Sequence, residues 1–406
     1  MLTLRYLQIP NQIFNINFSV LFIILRRNAK IDLRMHIQEV TNVHQLKRFI
    51  SFQYSLYRDN KYWVPPPYTD EVNSLRKDKN PAFDFCDAKC WVAEKDGKIV
   101  GRIAGIINKR YNEKWNVKAA RFGWFDFIDD TEISSVLLNT VEQWAKANGM
   151  TSLHGPLGFT DMDGEGALVE GFEEVSTLGS LYNYPYYPKH IEQAGYVKDA
   201  DWIEYEVTMH GVLNEEIRRI AEIVLKRNNL RVLRVKKAKE LLPYGKEIFQ
   251  LLNNSYKDLY GFVELSDKQI DLYIKQYFGF ILPGYVPVVL DSSGAIVAFG
   301  ITMPSMSRAF QKNKGRLLPF GFLHVLRALK HNTRADLYLT AVRPDMQNKG
   351  VNAILMHEVD KVFVKNHIEK VETNRELETN SKVQAQWKFF DKRQHKRRRS
   401  YKKELM

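Results

Sequence analysis

Gln347-Asn348-Lys349-Gly350-Val351-Asn352 lies between a segment with a strand pattern and a segment with a helix pattern. Residues 336–342, DLYLTAV, alternate in polarity and are rich in residues that favour strands. From Val351 to Phe363 the apolar residues recur at helical spacing. A strand that turns through a glycine into a helix presents unpaired backbone N–H groups at the positive end of the helix dipole. The stretch therefore predicts a binding site for a phosphate or pyrophosphate group.

The spacing of these six residues resembles the Gln-x-x-Gly-x-Gly/Ala signature of the GNAT (Gcn5-related N-acetyltransferase) superfamily, with Asn352 at the last position. The resemblance implies that acetyl-CoA or another acyl-CoA binds as cosubstrate, with its pyrophosphate at this turn. The cofactor-binding residues that it implies are Gln347, Asn348, Lys349, Gly350, Val351 and Asn352. An ordinary glycine turn at the start of a helix is the alternative for so short a pattern.

The predicted elements occur twice in the same order. Strand patterns flank a tight turn at Asp96-Gly97 and again at Ser293-Gly294, and each pair of strands precedes another strand and a helix. In the first copy the turn before the helix is Asp129-Asp130-Thr131, which has no glycine and would repel an anionic cofactor. Insertions at 311–331 and 155–179 explain the unequal spacing of the two copies.

This duplication predicts the fold class and the domain boundaries. We predict an α/β (mixed α+β) protein with two GNAT-like domains, each a mostly antiparallel central sheet with flanking helices. The first, 35–210, would have a degenerate cofactor site, and the second, 211–406, would bind acyl-CoA. Residues 1–34 are expected to be an extension outside the fold, because the first strand pattern begins at Met35. Their apolar run 13–25 is too short to span a bilayer comfortably.

Composition restricts the partners and the compartment. Two cysteines, Cys86 and Cys90, are too few for a disulfide framework and have no histidine cluster beside them, so no metal is expected and a cytoplasmic location fits. The net charge is +13, and eight lysines and arginines fall within 392–403 without an acid. We expect a solvated basic strand there; a nucleic-acid or anionic-membrane binder is the alternative. Nucleic acid is not the expected partner, no transmembrane segment is expected, and the oligomeric state stays open.

The resemblance implies an N-acyltransferase that moves an acyl group from acyl-CoA to an amine acceptor in the second copy. The alternative is a non-catalytic acyl-CoA-binding or regulatory module. In GNAT enzymes a backbone N–H of the cofactor strand polarises the thioester, which by position falls near Ala341 or Val342. The candidate bases on the following strand are Glu372, Glu376 and Glu378.

The other catalytic groups are less well defined in the sequence. Trp387 and Phe390 lie where GNAT enzymes place the tyrosine that protonates the thiol, which leaves Tyr401 and Tyr338 as candidates. The stretch 161–166 has only part of a calcium-loop pattern, and we predict instead that it faces the site of the second copy together with Glu170. The aromatic cluster 182–187 is predicted to line the acceptor pocket or to pack between the copies.

Overall fold

The computed structural model describes residues 35–405, and the predicted extension 1–34 lies outside the described residues. The first copy contains strands β1 (His36–Glu39), β2 (Cys86–Lys95), β3 (Lys98–Asn108), β4 (Ala119–Phe127), β5 (Ser152–Gly155), β6 (Ala167–Glu170) and β7 (Val197–Thr208). Its helices are α1 (Val43–Leu56), α2 (Tyr68–Ser74), α3 (Lys109–Trp115), α4 (Thr131–Ala147) and α5 (Tyr186–Gln193).

A linking helix, α6 (Glu215–Arg227), leads into the second copy. The strands of the second copy are β8 (Arg231–Val232), β9 (Val288–Leu290), β10 (Ile296–Pro304), β11 (Arg334–Val342), β12 (Lys370–Glu372), β13 (Glu376–Leu377) and β14 (Asp391–Glu404). Its helices are α7 (Gly245–Tyr256), α8 (Asp267–Tyr277), α9 (Ser307–Asn313), α10 (Gly321–Lys330), α11 (Val351–Lys365) and α12 (Ser381–Gln384). The order of elements therefore repeats as the sequence predicts.

Local sequence explains the tight turns of both copies. Asp96 and Gly97 adopt left-handed φ values of 53° and 71° between β2 and β3, a conformation that aspartate and glycine tolerate. Between β9 and β10 the Asp291 side chain accepts hydrogen bonds from the N–H groups of Ser293 (3.0 Å) and Ala295 (3.2 Å). The structure thus contains both of the predicted hairpins.

The sheet runs continuously through both copies. Its order is β1-β2-β3-β4-β5-β14-β7-β12-β11-β10-β9-β8, with β6 paired to β14 and β13 paired to β7. Two neighbouring pairs are parallel, β4 with β5 and β11 with β12, and the others are antiparallel. Each parallel pair extends over only three residues of each strand, so β4 and β11 continue beyond the paired part.

The last strand of each copy completes the sheet of the other. β14 lies between β5 of the first copy and β7, and β7 lies between β14 and β12 of the second copy. The boundary near residue 210 therefore divides the chain but not the sheet, and it stays a prediction. Through this exchange, residues of the first copy can reach the site of the second.

The basic run 392–403 is part of this exchanged strand. Our expectation of a solvated strand is wrong, because Arg398 is fully buried and Lys396 is only 1% exposed. Acidic side chains form ion pairs with seven of the eight cations: Arg393 with Glu174 and Glu206, Lys396 with Glu372, Arg397 with Asp201, Arg398 with Glu204, Arg399 with Asp201, Lys402 with Glu404 of the same strand, and Lys403 with Glu142. The run is structural, which removes the basis for the tail as a nucleic-acid or membrane binder.

The predicted insertion of the second copy forms α9 and α10, between β10 and β11. Its buried side packs against the first copy, where Val64 contacts Ala309, Phe310 and Val325. Within residues 35–405, no helix is long and apolar enough to cross a membrane.

Candidate functional site

The predicted phosphate turn is an exposed connection between β11 and α11 that contains two left-handed residues. Asn348 and Gly350 have φ values of 61° and 80°, and Gly350 is the residue before the helix. Arg343 anchors the start of the turn through ion pairs to Asp291 (2.8 Å) and Asp345 (2.7 Å). Left-handed residues on both sides of Lys349 give the backbone a conformation that can turn N–H groups toward one point, as in other anion-binding turns.

The start of α11 is open. No side chain caps the helix, and within residues 35–405 the backbone N–H groups from Asn348 to Asn352 have no acceptor. Asn348 and Lys349 are exposed, and Asn352 lies at the edge of a cavity. Gln347 donates from Nε2 to the Val342 carbonyl (3.2 Å), so its side chain holds the strand end, and Val351 is buried in the core.

The equivalent turn of the first copy is closed by its own side chains. Asp130 caps α4 by accepting from the N–H of Glu132 (2.9 Å), and Asp129 contacts Nε2 of His190 (3.0 Å). At the end of β4, the Phe127 N–H donates to Tyr187 and its carbonyl accepts from Tyr186. The polar backbone groups at the end of β4 therefore have side-chain partners.

A cavity of about 260 Å³ opens where β11 and β12 separate. These strands pair only from Arg334 to Asp336, and the following residues of β11 line the cavity instead. One part of the wall is apolar and comes from both copies, with Val207, Met209, Met356, Phe363, Trp387 and Phe390. Another part is polar, with Asp161, Glu165, Tyr256, Arg375 and Glu376.

The exposed edge of β11 presents Thr340 to the cavity. The Thr340 carbonyl accepts from Tyr256 Oη (2.8 Å), and the Tyr338 carbonyl accepts from Asn374 Nδ2 (2.7 Å). In an extended strand the N–H and C=O of one residue point to the same side, so the Thr340 N–H also faces the opening. Ala341 pairs with Phe299 in β10, and neither Ala341 nor Val342 lines the cavity. The backbone N–H that faces the cavity is therefore that of Thr340 rather than that of Ala341.

Glu376 is the predicted base that lies in the cavity wall. Its Oε1 accepts from Trp387 Nε1 (2.7 Å), and its buried Oε2 has no hydrogen-bond partner among residues 35–405. Burial raises the pKa of Glu376 to about 7, against the lowering effect of the Trp387 hydrogen bond. A carboxyl group with such a pKa can both accept and return a proton near neutral pH.

The other predicted catalytic side chains lie elsewhere. Tyr401 is fully buried in the core of the first copy, donates to Glu192 (3.2 Å) and does not line the cavity. Glu372 is outside the cavity and is ion-paired to Lys396, and Glu378 is ion-paired to Lys198 and Arg397. Tyr338 lines the cavity, and burial holds the pKa of its hydroxyl well above the usual range.

The predicted loop 161–166 contributes two carboxylates to the cavity. Burial, followed by the charge of Glu165, raises the pKa of Asp161. Burial likewise raises the pKa of Glu165 to about 7, although Arg375 and Arg121 oppose the shift. Arg375 holds the loop from the second copy by donating to the Asp163 carbonyl (3.1 Å). Glu170 lies in β6 and is ion-paired to Arg397, away from the cavity.

Sequence reasoning missed several functional candidates, Tyr256 and Arg375 among them. Tyr256 belongs to a helical segment rich in tyrosine and leucine, whose pattern indicates packing as readily as function. The aromatic cluster 182–187 does not line the cavity and packs within the first copy.

One buried group has the residue types of a metal site. Glu204, Glu372 and His395 place ligand atoms within 4.8 Å of one another. Lys396 and Arg398 form ion pairs with these glutamates and supply the positive charge that a cation would bring. The arrangement is therefore explained as a buried ion-pair cluster.

Two curated proteins match most of the chain in sequence. No family model matches the chain. The chain is 27% identical over 376 residues to Protein YghO of Escherichia coli (strain K12), covering 91% of this chain and 95% of that protein. It is 27% identical over 293 residues to the bacterial ceramide synthase of Caulobacter vibrioides (strain NA1000 / CB15N), covering 70% and 74%.

A solved structure shares the whole architecture. The tandem GNAT protein from the clavulanic acid biosynthesis pathway superposes with a TM-score of 0.52 at 12% identity, covering 92% of this chain and 99% of that chain. The predicted fold, a mixed α/β protein with two GNAT-like copies, is thereby confirmed.

Proposed function

We propose that the protein is an N-acyltransferase that moves a long-chain acyl group from acyl-CoA to an amine. The observation that carries the proposal is the cavity, which joins an open helix N-terminus, an apolar wall and a carboxylate with a pKa of about 7. In acyl transfer from a long-chain thioester, the helix N-terminus would bind the phosphates, the apolar wall would hold the acyl chain, and the carboxylate would accept the amine proton.

The cofactor would bind along β11. Its pyrophosphate would meet the N–H groups of residues 348–352 at the start of α11, and Lys349 would add a positive charge. The thioester oxygen would accept a hydrogen bond from the Thr340 N–H, which stabilises the charge that develops on that oxygen. Gln347, Gly350 and Val351 would shape the turn rather than contact the phosphates through their side chains.

The acyl chain would occupy the apolar part of the cavity. Met209, Met356, Phe363, Trp387 and Phe390 provide flexible and aromatic surface there. An acetyl group would leave this surface uncovered. The shape of the wall therefore favours a fatty acyl group over acetyl.

The carboxylates of the cavity would bind the amine and accept its proton. Asp161 and Glu165 would hydrogen-bond the acceptor amine after it has lost its ammonium proton to solvent. Glu376 would take the second proton from nitrogen as the C–N bond forms. When the C–S bond breaks, the leaving thiolate has a higher proton affinity than Glu376, so the same carboxyl group can return the proton to sulfur. No tyrosine acid is needed in this scheme.

The acceptor proposed is an amine that carries a long apolar chain. The protein that is 27% identical to this chain over 293 residues is named bacterial ceramide synthase. A ceramide is an amide of a fatty acid and a long-chain amino alcohol, which is the product type that the apolar cavity and the paired carboxylates would yield.

The direct test is release of CoA together with amide formation. The full chain is incubated with hexadecanoyl-CoA and a long-chain amino alcohol; free thiol is measured colorimetrically and the amide by mass spectrometry. Each methylene buried contributes about 0.8 kcal/mol, so we expect kcat/KM to rise roughly fourfold per methylene until the apolar wall is covered. Binding of acyl-CoA without thiol release would favour the non-catalytic binding module instead.

A cavity variant separates chain length from catalysis. Met356→Trp adds bulk to the apolar wall and should reduce turnover of hexadecanoyl-CoA while sparing a short acyl-CoA. Met346→Leu, a volume-conserving change at a buried residue that does not line the cavity, is the matched control. Equal losses with short and long chains would contradict the placement of the acyl group.

The turn can be tested with little disturbance of the backbone. Asn348→Asp should weaken CoA binding by about tenfold, because aspartate tolerates the left-handed conformation but places a negative charge beside the pyrophosphate. Asn348→Gly keeps the backbone without the charge and serves as the control, and both are measured by calorimetry. An unchanged Kd for Asn348→Asp would place the phosphates elsewhere.

Gly350→Asp is a poorer test of the same site. Gly350 has a φ of 80°, and a Cβ there would lie 3.0 Å from Val224 Cγ2 in α6. The substitution would therefore disturb the packing of α6 on α11, and a loss of binding could not be separated from a loss of structure.

A further inference from the structure

The outer face of the second-copy insertion exposes large apolar side chains. Leu318, Phe320 and Leu323 are 80%, 72% and 52% exposed, and Phe322 and Leu326 are 40% and 48% exposed. These five residues fall within nine positions of the chain. Folded proteins seldom leave such a group of aromatic and leucine side chains in water unless it contacts something.

The same insertion is strongly basic. Residues 306–335 carry seven lysines and arginines and no aspartate or glutamate. Within the described residues, Arg334 forms an ion pair with Glu206, whereas Arg308, Lys312, Lys314, Arg316, Arg327 and Lys330 form none. This differs from the run 392–403, where acidic neighbours neutralise almost every cation.

Apolar and basic residues share one side of α10. Phe322, Leu323 and Leu326 are exposed at helical spacing, and Arg327 and Lys330 continue the same face, while Val325 is buried on the opposite side. We name Leu318, Phe320, Phe322, Leu323 and Leu326, together with the six unpaired cations, the insertion face.

The first copy holds the insertion face in place. The Gly315 carbonyl accepts from the N–H of Tyr68 (2.9 Å), and Gln311 Nε2 donates to the carbonyls of Lys61 (2.9 Å) and Trp63 (3.0 Å). The exposed apolar residues therefore sit on an anchored support, which keeps them from folding back onto the protein.

We propose that the insertion face docks the protein on an anionic lipid bilayer. A leucine- and phenylalanine-rich face bordered by lysine and arginine matches the boundary between headgroups and acyl chains, and each nearby cation adds attraction to anionic lipid. A second copy of this chain would bring the same positive charges together and be repelled. The inference does not depend on the proposed acyl transfer.

The test is cosedimentation of the full chain with vesicles. Vesicles of phosphatidylcholine with about one-third phosphatidylglycerol are compared with phosphatidylcholine alone. We expect binding to the anionic vesicles that weakens as salt is raised. The variant Leu318→Ser/Phe320→Ser/Leu323→Ser and the variant Lys312→Gln/Arg327→Gln/Lys330→Gln should each lower the partition coefficient about tenfold or more.

The control carries the same types of change on another exposed helix face. Ile223→Ser/Arg219→Gln on α6 should bind as the unchanged protein does, and circular dichroism should be alike for all variants. Failure of the unchanged protein to bind anionic vesicles, or equal binding by the insertion-face variants, would overturn the proposal. If the unchanged protein did not bind vesicles but formed a dimer in solution, and the triple serine variant were a monomer, the insertion face would be a self-association surface instead.

Discussion

Glu376→Gln should lower kcat for acyl transfer by about 10²- to 10⁴-fold while leaving acyl-CoA affinity nearly unchanged. Glutamine keeps the shape of the side chain and can still accept from Trp387, but it cannot take a proton from the amine. The cofactor turn and the apolar wall are untouched by the change. Single-turnover thiol release measures the chemical step, and calorimetry measures cofactor binding.

The pH profile gives an independent readout of the same group. Burial raises the pKa of Glu376 to about 7, so in the unchanged protein kcat should rise with pH and level off above this value as the carboxylate forms. In Glu376→Gln this inflection should disappear from whatever activity is left. A purely structural role of Glu376 would lower activity without moving the inflection.

Two matched variants complete the experiment. Glu378→Gln changes a neighbouring glutamate that is ion-paired outside the cavity, and it should retain kcat. Glu165→Gln should mainly raise KM for the amine, because Glu165 is proposed to hydrogen-bond the acceptor. If Glu376→Gln kept its rate and Glu165→Gln lost it, the base would be Glu165 in the loop of the first copy.

The strand, glycine turn and helix could be predicted from the sequence because everything they need is local. Strand, glycine and helix follow one another between residues 336 and 363, and their patterns are read directly. The acid-rich first-copy turn is equally local, and in the structure Asp130 caps its own helix there. The resemblance to GNAT proteins then extended these local patterns to a fold, which the comparison structure confirms.

The catalytic residues could not be predicted as well, because the exchange of last strands decides their neighbours. Tyr401 lies in β14, which pairs with β5 of the other copy, so its side chain points into a core that position in the chain did not reveal. The same exchange explains the basic run, whose pattern alone cannot distinguish a solvated strand from one that faces Glu204 and Asp201. Asp161 and Glu165 reach the cavity from the first copy for this reason.

Arg398→Met should destabilise the fold by about 3–5 kcal/mol. Arg398 is fully buried in β14 and donates to Glu204 and to the Leu181 carbonyl. Methionine fills most of the volume but leaves Glu204 buried with Lys396 alone, 3.7 Å away. Urea denaturation followed by circular dichroism measures the change in the free energy of unfolding.

The controls separate the buried charge from loss of volume and from surface ion pairs. Arg393→Met removes a half-exposed cation of the same strand and should cost about 1 kcal/mol or less. Arg398→Met/Glu204→Met removes both buried charges and should recover much of the loss. Equal destabilisation by Arg398→Met and Arg393→Met would contradict the role assigned to the buried pair.

The loss caused by Arg398→Met should also depend on pH in a defined direction. Burial opposes ionisation of Glu204, but the charges of Arg398 and Lys396 outweigh it and lower its pKa to about 2, below the usual 4.5. In the unchanged protein this carboxylate therefore contributes stability above pH 4.5 that is lost as the pH falls toward 2. Without Arg398 the pKa of Glu204 rises, so protonation relieves the buried charge at mildly acidic pH. The gap in unfolding free energy between the two proteins should thus narrow from pH 7 to pH 4, whereas a loss due to packing alone would not change with pH.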